Sequence, residues 1–153
     1  MKFEKTVEIN ATPEEVWALV GDVEAVANCI PGLHDYVATG PNEFDAVVTQ
    51  QVGPVKSSFK LSTTLTDLDP SRSLTAISRG RDADLDSSVK AVQRFDLSPS
   101  ETGTSVAITA DIAITGRIAT FGHRIVATKA QQVVTAAIKN VSTVLEEKRE
   151  AGG

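Results

Sequence analysis

Residues 3–9 alternate, with Phe3, Val7 and Ile9 on one side and Glu4, Thr6 and Glu8 on the other. That period predicts a half-buried strand. The pattern then changes. In Thr12-Pro13-Glu14-Glu15-Val16-Trp17, Thr12 suits a helix cap, Pro13 the first helical position, and Glu15 completes a capping box. Val16, Trp17 and Val20 share a face, and Gly21 ends the helix. Asp22 caps a second short helix through about Asn28. Pro31 then forces Ile30 into an extended conformation and stops it.

From about residue 33 to 115 the chain reads as strands separated by turn signals: Gly40-Pro41-Asn42, Gly53-Pro54, Asp69-Pro70-Ser71 and Ser98-Pro99-Ser100. In 55–65, Val55, Phe59, Leu61 and Leu65 face one way, and Lys56, Ser58, Lys60 and Thr64 the other. In 104–114, Val106, Ile108, Ile112 and Ile114 face inward. Short turns between such strands imply an antiparallel meander. After Gly116 the period lengthens. From 119 to about 149 apolar residues recur at three and four, among them Ile125, Val126, Val133, Val134, Ile138, Val141 and Leu145. This predicts a long amphipathic helix.

The order is therefore one strand, two short helices, about six strands and one long helix. An apolar sheet face needs a cover, and the final helix is the element able to supply it. The expected class is α+β, a curved antiparallel sheet wrapped around a long C-terminal helix. Residues 1–150 form one domain, with Ala151-Gly152-Gly153 as a frayed tail. Inward positions are often Val, Ala, Thr or Ser, and aromatics are only 5% of the chain. Such small side chains leave room between sheet and helix.

Composition narrows the function. The net charge is −5, and no Lys/Arg stripe offers a footprint for nucleic acid. The single cysteine, Cys29, precludes an internal disulfide. The N-terminus lacks the apolar stretch of a signal peptide. No run approaches the roughly 18 apolar residues of a membrane span. These features point to a cytoplasmic protein.

Catalytic constellations are weak. The only histidines, His34 and His123, fall in no metal-ligand spacing. Cys29 has no base nearby in sequence and reads as a small buried residue. Gly116 and Gly122 flank the long helix without a following Gly-Lys-Ser/Thr, so they predict a bend and not a phosphate loop. Arg117, His123 and Arg124 read as solvated cations at that bend. Asp82, Asp84 and Asp86 read as an exposed strand edge, because a calcium loop's Gly and Glu are missing.

Four stretches carry a resemblance. Thr12-Pro13-Glu14-Glu15-Val16-Trp17 is similar to the opening of the START-like helix-grip superfamily, which includes lipid-transfer domains, pollen allergens and polyketide cyclases. Cys29-Ile30-Pro31-Gly32, Val52-Gly53-Pro54-Val55-Lys56 through Phe59, and Gly116-Arg117-Ile118-Ala119-Thr120-Phe121-Gly122 narrow it. Together they resemble the CoxG family of carbon monoxide dehydrogenase over nearly the whole chain. The resemblance implies a helix-grip fold and a non-catalytic accessory protein beside a molybdenum-containing hydroxylase. It also implies a cavity suited to a lipid or isoprenoid quinone. Unlike longer members, this sequence shows no apolar C-terminal tail after the helix, so membrane association is expected to be peripheral or through a partner.

Three functions follow as expectations. The first is an apolar-ligand carrier, its wall formed by Phe59, Leu61, Phe95, Phe121, Ile125 and Val126. The second is a cyclase- or hydrolase-type enzyme on the same fold, for which Tyr36, His34 and Arg94 are the acid/base candidates. The third is a protein-interaction module docking through Ile30-Pro31-Gly32 and Gly116–Gly122. A collapsed core without a pocket of a few hundred Å³ would favour the third.

Overall fold

The computed structural model describes residues 1–152, and its elements follow the hydrophobic pattern. Strand β1 (Lys2–Ile9) is followed by helices α1 (Pro13–Val20) and α2 (Val23–Cys29). Six strands come next: β2 Leu33–Gly40, β3 Glu43–Val52, β4 Val55–Asp69, β5 Ser73–Asp82, β6 Ser87–Ser100 and β7 Gly103–Gly116. A short 3₁₀ helix, Arg117–Phe121, leads into α3, His123–Gly152. The strands form one curved sheet in the order β1-β7-β6-β5-β4-β3-β2. Every neighbouring pair is antiparallel. This is the expected meander, closed at one edge by the return of β1 onto β7.

Local chemistry explains the helix starts. The Glu15 N–H donates to Thr12 Oγ1 at 3.2 Å, and the Thr12 N–H donates to Glu15 Oε1 at 3.0 Å. This reciprocal box satisfies two donors that a helix start leaves free. Asp22 repeats half of it, accepting from the Ala25 N–H at 3.3 Å.

Four details depart from expectation. The stretch Ser98-Pro99-Ser100 is strand, and the turn falls at Glu101 and Thr102. Pro99 is tolerated because pairing of β6 with β5 ends at Asp96, leaving only β7 beside it. Asp84 and Asp86 lie in the β5–β6 turn, not on a strand edge, and Asp82 is buried. The final helix starts at His123 because the 3₁₀ helix occupies 117–121. At its far end it continues through Ala151 to Gly152; Gly153 of the expected frayed tail lies outside the described residues.

Two separate cores pin α3 at its ends. Near its C-terminal end, Leu145 packs with Ile9, Ala11, Val16, Leu19, Leu97, Val106 and Ile108. Near its N-terminal end, Val126 packs with Val52 and Ile118, flanked by Phe59 and Phe121. Fully burying a side chain such as Leu19 stabilises by about 2 kcal/mol, so these clusters hold the helix to the sheet. Between them, residues from Lys129 to Ile138 on the inner side of α3 are only half-buried.

A ligand-sized cavity between sheet and helix

Where the two cores stop, sheet and helix stand apart. The gap is a cavity of about 420 Å³, within the range that holds small organic molecules. Its floor is the concave face of the sheet, its roof the middle of α3, and α1–α2 with Ile30 closes one side. Alternation along the strands brings Val48, Phe59, Leu61 and Phe95 to the floor. The 3.6-residue period brings Val126, Ala130, Val133, Val134, Ala137 and Ile138 to the roof.

Small residues create the space. Ala46, Ala76 and Ala91 lie on the floor opposite Ala130 and Ala137 on the roof. At Gly80, also inward in β5, a Cβ would run into the Leu61 side chain and the Lys60 carbonyl oxygen. Glycine there lets β4 and β5 approach without a side chain between them.

Four of the six expected wall residues line this cavity: Phe59, Leu61, Phe95 and Val126. The other two are corrected. Ile125 is 45% exposed and sits against the β3–β4 turn, its Cγ2 within 3.9 Å of where a Gly53 Cβ would be. Taking Val126 as the origin and about 100° per residue, the roof residues spread from roughly −20° to +120° around the helix, whereas Ile125 falls at roughly −100°, off the roof. Phe121 belongs to the 3₁₀ helix and packs against the N-terminal core. It braces the end of the cavity without entering it.

The acid/base candidates lie elsewhere. His34 and Tyr36 are on the exposed strand β2. The His34 ring bonds Asp35 at 2.8 Å and Thr49 at 2.9 Å. Arg94 points outward from β6 and pairs with Asp96 at 3.1 Å. None of the three lines the cavity. Cys29 does line it, but burial pushes its thiol pKa up, away from a reactive thiolate. No group of three or more His, Cys, Asp or Glu among the described residues could hold a metal ion. Arg117, His123 and Arg124 are exposed, as expected.

Polar lining residues escaped the sequence pattern. On the floor, Thr63 and Ser78 share a hydrogen bond at 2.8 Å, and Gln93 lies in the adjoining row of β6. Lys129 is half-buried at one margin of the roof. It shares a helix stripe with Asn140, whose amide donates to the Cys29 carbonyl at 2.8 Å. Its aliphatic stem can cover apolar surface while the ammonium stays in water.

Asp82 is a structural clamp at the end of β5. Its carboxylate accepts from the Ser57 hydroxyl (3.0 Å) and from the N–H groups of Ser58 (2.9 Å), Asp84 (3.0 Å) and Leu85 (3.2 Å). Burial alone would raise its pKa. The hydrogen bonds, from Ser58 and Ser57 foremost, outweigh that and hold the carboxyl below its ordinary value.

Comparison with known proteins agrees with this geometry. The family described as the carbon monoxide dehydrogenase G subunit (CoxG) matches residues 6–146. Among solved structures, a conserved protein from Geobacillus kaustophilus superimposes with a TM-score of 0.88 at 21% identity, covering 96% of each chain. The ZhuI aromatase/cyclase from Streptomyces gives 0.72 at 16% identity, covering 100% of this chain and 98% of that one. A protein from Thermus thermophilus gives 0.70 at 16% identity, covering 97% and 99%. At such identities the likeness establishes the helix-grip fold alone. Among curated proteins, no sequence matches.

Proposed function

The chain belongs to the CoxG family of carbon monoxide dehydrogenase, and from that premise we propose that it is a non-catalytic accessory protein that carries an apolar small molecule. The observation behind this reading is the cavity itself, about 420 Å³ of largely apolar space between two pinned ends of a helix. A packed interior has few voids larger than a water molecule. A gap of this size, lined by alanines where larger residues would fill it, is suited to a guest. Burial of the guest's apolar surface supplies the affinity, at roughly 25 cal/mol per Å² before the costs of association.

The proposed cargo is a lipid or an isoprenoid quinone, and the proposed partner is a molybdenum-containing hydroxylase of the carbon monoxide dehydrogenase type. No helix among the described residues is long and apolar enough to cross a membrane. A cytoplasmic protein touching the membrane peripherally, or through that partner, is consistent with this. The non-catalytic assignment draws support from the outward placement of His34, Tyr36 and Arg94 and from the raised pKa of Cys29. The cavity weighs against a pure interaction module, which called for a collapsed core.

A panel of lipids and quinones, read by thermal shift on the wild type and on Ala130→Trp, tests the reading. Ala130 faces the cavity from the roof, so tryptophan there occupies the guest's space. The wild type should be stabilised by at least one class of the panel, and Ala130→Trp should not. Equal shifts in both proteins would place binding outside the cavity, and no shift in either would remove the carrier reading.

A further inference from the structure

The floor of the cavity is not uniformly apolar, and its polar positions form a group. On β6 the inward residues are Ser87, Val89, Ala91, Gln93, Phe95 and Leu97. Gln93 is the one amide in this series. Its register partners are Ala76 on β5 and Ala110 on β7. Two alanines beside a glutamine leave its head without a polar partner in its own row of the sheet. Gln93 has no side-chain hydrogen-bond partner among the described residues, and no sealed side-chain nitrogen or oxygen among them is left unpaired. The amide is therefore unpaired and open to the cavity space it lines.

The next row of the sheet runs Thr63, Ser78, Ala91. Ser78 is thus the diagonal neighbour of Gln93, a relationship that brings inward side chains within reach of one another. Thr63 and Ser78 bond to each other at 2.8 Å. That bond uses one of the two hydroxyl protons, so the other remains free to donate. Around this group the floor is Leu61, Leu65, Phe95 and alanine. An unpaired amide and a spare hydroxyl proton are costly in such surroundings unless something completes them.

We infer that Gln93, with the Thr63–Ser78 hydroxyl pair, is a polar anchor that hydrogen-bonds an acceptor oxygen of the bound molecule, selecting an apolar guest that carries a carbonyl over a pure hydrocarbon of the same shape. This inference deepens the carrier reading and rests on it. The anchor fixes the guest's orientation, with its oxygenated part on the sheet floor and its apolar remainder along α3. The donors on offer, the amide N–H groups and one hydroxyl, suit a carbonyl or ether oxygen. The Gln93 carbonyl can additionally accept from a hydroxyl.

The experiment uses fluorenone and fluorene, which differ by a carbonyl in place of a methylene. Entering an all-apolar pocket, fluorenone surrenders its hydrogen bond to water and gains nothing back, so fluorene is favoured. Affinities of both probes are measured calorimetrically for the wild type, Gln93→Leu, Ser78→Ala and Lys129→Met. The expected result is a fluorenone-to-fluorene affinity ratio that falls about fivefold in Gln93→Leu, one hydrogen bond's worth. A smaller fall in Ser78→Ala and no fall in Lys129→Met complete it. An unchanged ratio in Gln93→Leu overturns the anchor while leaving the carrier reading intact. A ratio that collapses only in Lys129→Met also overturns it, placing the polar contact at the roof's margin. If the wild type binds neither probe although a lipid or quinone stabilises it, the anchor falls and the carrier reading stands; if neither the probes nor any lipid or quinone binds, both fall. Should Gln93→Leu fail to fold, Ser78→Ala and the wild-type ratio decide. A wild type that prefers fluorene, with no change on Ser78→Ala, has no anchor.

Discussion

The side-chain amide of Asn140 donates to the carbonyl of Cys29 at 2.8 Å. Cys29 is the last residue of α2, so its carbonyl is one that a helix end leaves without an internal partner. Asn140 lies near the middle of α3, between its two pinned ends. The bond therefore holds the span of α3 that roofs the cavity against the helix that forms its side. Replacing Asn140 with alanine leaves that carbonyl to water and should cost about 1 kcal/mol. Thermal unfolding should show a drop of about 2–4 °C for a chain of this size. Hydrogen exchange should rise in α2 and mid-α3, and remain unchanged in β7.

Tryptophan on the roof separates a cavity from a tightly packed core. Inserting bulk into a filled core costs typically 1–3 kcal/mol. Ala137, like Ala130, faces open space. Denaturant unfolding of Ala137→Trp should therefore show stability within about 1 kcal/mol of the wild type. A loss of about 3 kcal/mol or more would mean the space is not there.

Two glycines at the strand-to-helix bend should respond differently to alanine. Gly116 (φ 93°, ψ −155°) and Gly122 (φ 100°, ψ 147°) both occupy backbone regions that only glycine adopts readily. At Gly116 a Cβ would also run into the Asp86 carbonyl oxygen, whereas at Gly122 nothing lies within 4 Å. Gly122→Ala should cost about 1–2 kcal/mol of backbone strain. Gly116→Ala should cost more, because the β5–β6 turn must also move. Equal losses in chemical denaturation would mean that this steric term is absent.

The Asp82 clamp predicts an acid sensitivity. Its pKa is held below the unfolded value of about 3.9. The stabilisation is therefore present above that value and is lost as pH falls through the folded pKa. Asp82→Asn keeps the size but replaces one acceptor oxygen with a donor facing other donors. At neutral pH it should be less stable than the wild type by about 2 kcal/mol. That gap should narrow below about pH 4, as the wild-type carboxyl protonates. A gap independent of pH from 7 down to 3 would show that the charge contributes nothing.

Periodicity made most of the architecture legible, and its limits show at particular residues. Phe59 and Leu61 were legible as floor residues because strand parity is unambiguous along β4, and Phe95, expected in the wall without a parity reading of β6, shares the inward parity of Ala91 and Leu97. On α3, Ile125 and Val126 both belong to the apolar set, but only Val126 lies within the stripe that Ala130, Val133 and Ala137 continue, and Ile125 falls outside it and is exposed. The Asp82 clamp was invisible because three aspartates at alternating positions look like an edge, while a turn backbone brings donors to one of them. Lys5 has the parity of Val7 and Ile9, yet at the sheet edge it reaches Thr135 on α3 at 3.1 Å. Gln93 could have been found: it is the amide at an inward position between Ala91 and Phe95. A polar residue at an apolar parity is the informative signal.

The most direct measurement is mass spectrometry of an organic-solvent extract of the protein purified from its native host. A cavity built to hold an apolar guest predicts a lipid or quinone at near one equivalent per chain, missing from Ala130→Trp prepared the same way. A wild-type extract with no such molecule, from a protein that no lipid or quinone stabilises, would contradict the carrier function.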